Sequence, residues 1–252
     1  TVLPGTRDGR RRAPHEMMRA WCTTAQRSQR WGVIGPSALI MIASVLAYLP
    51  AFPAGFVFDD HYLIANNELL RGPLARIWLT AGASDYWPVT WTSFWIEWRI
   101  WGDHAAGYHA VNILLHGVVS LLLWRVLKCL DVPGAWLAGL LFAVHPVAVD
   151  SVAWISERKN TLSGVLYLAT ILAWLRLDAR RPLRRTAFSL LLFVAALLAK
   201  ASVVMLPVVL LGVALYRNGR LTRRDWFETA PFFGASFIAG LVNIWFQHQN
   251  AL

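Results

Sequence analysis

An all-α, multi-pass integral membrane fold is what this sequence predicts, on three observations. Of its 252 residues, 57% are hydrophobic and only 15% charged, with a mean hydropathy of +0.46. Soluble domains carry roughly 45–50% and about 25%. The apolar residues gather in runs that approach or reach the roughly 20 residues a helix needs to cross a bilayer core. The basic residues cluster between alternate runs. The composition excludes a disordered chain, and two cysteines exclude a disulfide scaffold. A net charge of +10 would mark a nucleic-acid binder only if it lay on one soluble face. Its recurrence between every second pair of runs argues against nucleic acid as a partner.

Taken in order, residues 1–32 form a basic, apolar-poor tail, expected to be disordered and cytoplasmic. The first span, about 33–50, is followed by bulky residues (Tyr48, Leu49, Pro50, Phe52) where a signal-peptide cleavage site needs small ones, so it should stay as an anchor. A long loop, 51–107, comes next. Further spans are expected at about 108–127, 133–149, 161–177, 186–199, 201–216 and 230–247, about seven in all, within a transmembrane domain covering 33–252. With alternating helices, one side collects 18 basic and 6 acidic residues, net +12, and the other 6 and 8, net −2. The positive-inside rule then places the N-terminus in the cytoplasm and the 51–107 loop outside. Cys22 and Cys129 both fall on the reducing side, so no disulfide is expected. Arginine outnumbers lysine 21 to 3, which points to a GC-rich bacterial genome and so to a bacterial inner membrane.

Function is to be sought where polar groups are costly or loops unusually long. The 51–107 loop opens with Phe56-Val57-Phe58-Asp59-Asp60-His61. Adjacent carboxylates raise each other's proton affinity and can yield a general base. They can equally hold a cation, or Asp59 can simply cap a short helix. Trp87, Trp91, Trp95, Trp98 and Trp101 recur at helical spacing, which predicts an interfacial helix lying flat on the membrane surface.

The second place is the segment His145 to Asn160, at the outer end of two spans. Arg158 and Lys159 suit a phosphate or pyrophosphate, or else pair with Asp150, Glu157 or lipid headgroups. Lys200 stands alone between two apolar spans and should meet an acid or an anionic ligand. On the second span His109, Asn112 and His116 share one helical face, either as pocket groups or as hydrogen-bonded packing. There is no HExxH, CxxC or phosphate-cradling glycine loop, so no metal site is recognised.

These residues also carry a family likeness. Phe56-Val57-Phe58-Asp59-Asp60, Trp101-Gly102, Gly107-Tyr108-His109-Ala110-Val111-Asn112-Ile113-Leu114-Leu115-His116, the run from His145 to Gly164, Leu198-Ala199-Lys200 through Pro207, and Glu228-Thr229-Ala230-Pro231-Phe232-Phe233 occur in the order and spacing found in one family. The chain resembles, over about 45–252, the membrane domain of the transmembrane-and-tetratricopeptide-repeat O-mannosyltransferases and their bacterial relatives. The resemblance implies a GT-C glycosyltransferase fold. It also implies a reaction in which a sugar, mannose among the candidates, passes from a polyprenyl-phosphate carrier to a protein or glycan hydroxyl at the extracytoplasmic face.

Carried over, it makes Asp59 or Asp60 the catalytic base and gives the donor phosphate to Arg158, Lys159 and Lys200. His109, Asn112, His145, Asp150 and Glu157 become pocket residues. The acidic loop leaves a divalent cation open as a cofactor, although the resemblance requires none. Two positions depart from the pattern: Trp87 precedes Pro88 where relatives often carry Arg, and Asp150 stands where many carry Glu. Further helices and repeats are expected beyond residue 252. The alternative is a non-catalytic scaffold with a degenerate domain anchoring a repeat array, its outer charges pairing with one another. A transporter is disfavoured, because the charges gather at one interface and not at the midplane.

Overall fold

The computed structural model describes residues 30–79, 86–177 and 181–250, and all regular structure among them is helical. Residues 1–29 of the expected tail, Cys22 among them, lie outside the described residues, and its last three, Arg30 to Gly32, already belong to the first helix. In chain order the helices are α1 (Arg30–Tyr48), α2 (Glu68–Arg71), α3 (Leu74–Leu79), α4 (Pro88–Trp101), α5 (Ala105–Cys129), α6 (Ala135–Val144), α7 (Val149–Ala153), α8 (Arg158–Arg176), α9 (Pro182–Ala199), α10 (Leu206–Asn218) and α11 (Arg223–Asn250). Short 3-10 or π turns fill Leu49–Ala51, His61–Ala65, Pro146–Ala148, Ile155–Glu157 and Ala201–Met205.

Five of these stretches are long and apolar enough to cross a membrane: Gly32–Ala51, α5, α9, Ala201–Asn218 and Arg223–His248. The expected span at 133–149 is broken. Pro146 removes a backbone donor and pushes His145 into extended geometry (ψ 128°), so α6 ends there. The chain resumes bent by 52°. Counted as one unit, this pair makes a sixth candidate span. The expected span at 161–177 forms a helix, α8, which is long enough to cross but less apolar than the others, so among the described residues five or six of the expected spans meet the apolar standard. Arg158, Lys159, Asn160, Thr161 and Ser163 fill its first two turns, and α8 packs between α5 and α9, where neighbouring helices can cover polar groups.

The faces follow the same logic. In α1 and α11 only 17% of the apolar window is buried, leaving Ile34, Ile42, Leu46, Phe237, Ile238, Leu241 and Ile244 exposed. Exposed apolar surface on this scale suits lipid. One core joins α5, α8, α9, α10 and α11 through Val126, Ile171, Trp174, Phe193, Leu210 and Phe232. A second, Ile64, Leu70, Ile77, Trp91, Phe94, Tyr108 and Ile155, holds a small cap of α2–α4 onto α5 and the turn before α8.

The cap alters the reading of the tryptophan stripe. α4 forms as expected, but four of the five indoles turn onto the cap while Trp101 stays exposed. Trp91 is buried, and Trp95 donates Nε1–H to Gly72 O at 3.0 Å under the Arg99 guanidinium. Trp98 lies beneath Arg71. The apolar residues that α4 leaves exposed are chiefly Ile96, Ile100 and Trp101. The spacing marked the buried face of the helix; indoles enclosed by α2 and α3 lose more water contact than they would lying on a surface.

Candidate functional site

The loop after α1 and the segment before α8 meet. Phe58 takes φ +47°, a left-handed conformation that bulky residues rarely adopt. The turn is closed by Asp60, whose Oδ2 accepts Val57 N–H at 3.1 Å. Asp60 Oδ1 accepts Ser156 N–H at 2.8 Å, across 96 residues of sequence. Phe58 and Trp154 meet nearby at a tilt, with ring centres 5.6 Å apart. Asp60 is completely buried and both its oxygens are engaged. Asp59 is exposed, and among the described residues no group hydrogen-bonds its carboxylate, so it does not cap the turn. Of the pair, Asp59 is the one whose carboxylate faces outward unengaged.

Arg158 occupies a different place from the one expected of a phosphate ligand. It is fully buried. Nε donates to Asn112 Oδ1 at 2.7 Å, Nη2 donates to Tyr108 O at 2.8 Å, and Nη1 pairs with Glu97. The guanidinium lies 4.8 Å from the Phe94 ring centre. Asn112 in turn donates to Trp154 O at 3.2 Å. Arg158 therefore ties α4, α5, the Trp154–Glu157 turn and α8 together. Burial pushes the Glu97 carboxyl above the ordinary range, and Arg158 pulls it partly back. Sequence reasoning missed Glu97. The available signal was a lone carboxylate inside a tryptophan-rich helix, a costly placement without a buried cation.

The lysines lie together beside this knot. Lys159 Nζ pairs with Glu157 Oε1 at 2.7 Å and sits 5.0 Å from the Trp87 ring centre. Asn160 donates to Glu157 Oε2 at 2.7 Å and to Ser151 Oγ at 3.0 Å, while its own Oδ1 accepts from Lys200 Nζ. Thr90 Oγ1–H donates to Ala199 O at 2.9 Å, fixing α4 against the end of α9. Trp87 and Thr90, which sequence reasoning did not assign to the site, thus floor the lysine cluster. Partial burial lowers the Lys200 pKa, the Lys159 charge lowers it further, and Glu157 opposes both.

The remaining candidates divide. His109 is buried against the backbone of Ala54 and Gly55, near Asp60. His116 contacts Ala143 O at 3.2 Å and meets Tyr48 edge-on, a packing role. His145 is exposed at the helix break, where its Nδ1 accepts Val147 N–H at 3.1 Å and its carbonyl accepts Tyr48 Oη–H at 3.0 Å. Asp150 is exposed, and it forms no ion pair with Lys159 or Lys200. Among the described residues no three His, Cys, Asp or Glu side chains come together as a metal site.

Known proteins resemble much of the chain. A 187-residue stretch is 34% identical to the protein O-mannosyl-transferase Tmtc1 of Drosophila melanogaster, covering 69% of this chain and 21% of that protein. A 216-residue stretch is 31% identical to Drosophila Tmtc2, covering 75% and 23%. A 159-residue stretch is 32% identical to human TMTC4, covering 52% and 22%. The chain thus spans less than a quarter of the length of these relatives. No protein-family model matches it, and no solved structure does.

Proposed function

Because the chain is a sequence relative of the TMTC protein O-mannosyl-transferases, we propose that it is the membrane module of a glycosyltransferase. The reaction moves a sugar, mannose first among the candidates, from a polyprenyl-phosphate carrier to a protein or glycan hydroxyl. The observation that carries this reading is the hydrogen bond from Ser156 N–H to Asp60 Oδ1. It joins the acidic pair to the segment that bears Glu157, Lys159 and Asn160.

In this reading the acceptor oxygen attacks the anomeric carbon. The bond from that carbon to the phosphate oxygen breaks, its electron pair stays on the carrier phosphate, and the acceptor proton passes to Asp59. Lys159 and Lys200 supply positive charge where negative charge develops on the leaving group. Asp60 and Arg158 are positioning residues, since their polar atoms engage protein groups. His109 supports the Asp60 turn, and the exposed His145 and Asp150 face the acceptor. The active face is extracytoplasmic, opposite the strongly basic ends of the helices.

One observation favours the scaffold reading: Lys159 and Lys200 already meet Glu157 and Asn160. The double variant Lys159→Ala, Lys200→Ala separates the two. A transferase loses binding of polyprenyl-phosphate mannose by at least tenfold, since a lost charged hydrogen bond costs about 1.5–3 kcal/mol, with a nearly unchanged melting temperature. A scaffold loses melting temperature and shows no donor binding in the parent protein.

A further inference from the structure

The helix ends remote from Asp59 enclose a second space. A cavity of about 350 Å³ lies among Trp174 at the end of α8, Arg185 on α9, Arg217 on α10, and Arg224 and Glu228 on α11. α8 rises about 1.5 Å per residue, so Trp174 stands roughly 24 Å along the helix from Arg158. The two sites are at opposite ends of the bundle.

The charges of the wall do not cancel. Glu228 pairs with both Arg185 and Arg224. Asp225 accepts Thr222 N–H at 2.8 Å and Thr222 Oγ1–H at 2.6 Å, a capping arrangement at the start of α11. Both carboxylates of the lining are therefore engaged within the wall. Arg217 adds a third guanidinium, and among the described residues no carboxylate pairs with it. Arg185 is held in place by the Trp174 ring, 4.3 Å from the guanidinium carbon.

The surroundings fix the depth. Next to the lining residues, Tyr216, Trp226 and Phe227 are exposed, the last at 77%. Aromatic side chains in that position suit the headgroup level of a bilayer. Guanidinium groups match phosphate oxygens in geometry as well as charge, and basic pockets between membrane helices take lipid headgroups.

We propose that this cavity binds a phosphate group, supplied in the bilayer by the headgroup of an anionic phospholipid. The ligand's phosphate meets Arg217, while Arg185 and Arg224 shape the cavity around Glu228. The site is independent of the transferase reading.

The test uses the full chain purified in a neutral detergent, titrated calorimetrically with short-chain phosphatidylglycerol, short-chain phosphatidylcholine and inorganic phosphate. Saturable binding of phosphatidylglycerol, weakened at least fivefold by Arg217→Ala and partly restored by Arg217→Lys, supports a lipid source. Inorganic phosphate binding with the same dependence on Arg217 supports the site with a free anion as its source. Ala214→Phe, which fills the cavity from its lining, abolishes binding in either case and serves if Arg217→Ala fails to fold. Absence of saturable binding by phosphatidylglycerol and inorganic phosphate alike, phosphatidylcholine binding as tightly as phosphatidylglycerol, or affinities indifferent to Arg217 and Ala214, overturns the proposal.

Discussion

Asp59 and Asp60 are neighbours with opposite surroundings, and that difference separates the roles proposed for them. Asp60 is enclosed and accepts two backbone N–H groups, whereas Asp59 faces outward with its carboxylate unengaged. From sequence the two were interchangeable, because the partner that separates them, Ser156 N–H, is a backbone group 96 residues away. The Arg158–Glu97 pair is likewise a tertiary fact. Glu97→Ala leaves a buried guanidinium without its counter-charge and should cost about 3–5 kcal/mol, read as loss of cooperative unfolding midpoint in detergent. Lys200 carries a pH signature. Its pKa is lowered chiefly by burial, and donor binding in the proposed reaction needs its protonated form. Donor affinity should therefore begin to fall, as pH rises, below the range of an ordinary lysine. Lys200→Arg, which stays charged throughout, should move that alkaline fall upward, as a titration of donor affinity against pH would record.

At the scale of elements, the apolar runs made the helices legible, and chain chemistry made their breaks legible. Pro146 ends α6 where it stands, and His145 supplies the cap of the turn that follows. What the runs could not show is which face each helix buries. The tryptophan spacing of α4 located a packed face but not the helices that cover it, because α2 and α3 are too short to announce themselves by periodicity. Closeness of helices is also set by single small residues. A Cβ on Gly139 would meet Trp124 Cβ at 2.8 Å and Ser120 O at 3.1 Å, neither of which can swing away as a side-chain tip does. Gly139→Ala should thus force α5 and α6 apart and cost about 1–3 kcal/mol, measurable as a lowered melting temperature with donor binding at Lys159 and Lys200 preserved.

Over the whole molecule, the charges of the described residues sort to the two ends of the helices. Arg176, Arg185, Arg217 and Arg224 gather at one end of the helices, while Asp59, Asp60, Lys159 and Lys200 gather at the other. This segregation was legible in sequence, since alternating spans sort charges by counting alone. The convergence of two loops on one site was legible only as a shared side of the bundle, and Arg158 shows why that is insufficient. A cation on the right side can be enclosed by Glu97, Asn112 and Tyr108 and never reach a ligand.

The division between a proton-accepting Asp59 and a frame-holding Asp60 is therefore the claim to test. The measurement is the rate of mannose transfer from polyprenyl-phosphate mannose to an acceptor peptide by Asp59→Asn, taken beside its melting temperature. Removal of a general base should slow transfer by roughly 10²–10⁴-fold while the melting temperature stays near that of the parent protein. A folded Asp59→Asn protein that transfers mannose at the parent rate would contradict the account.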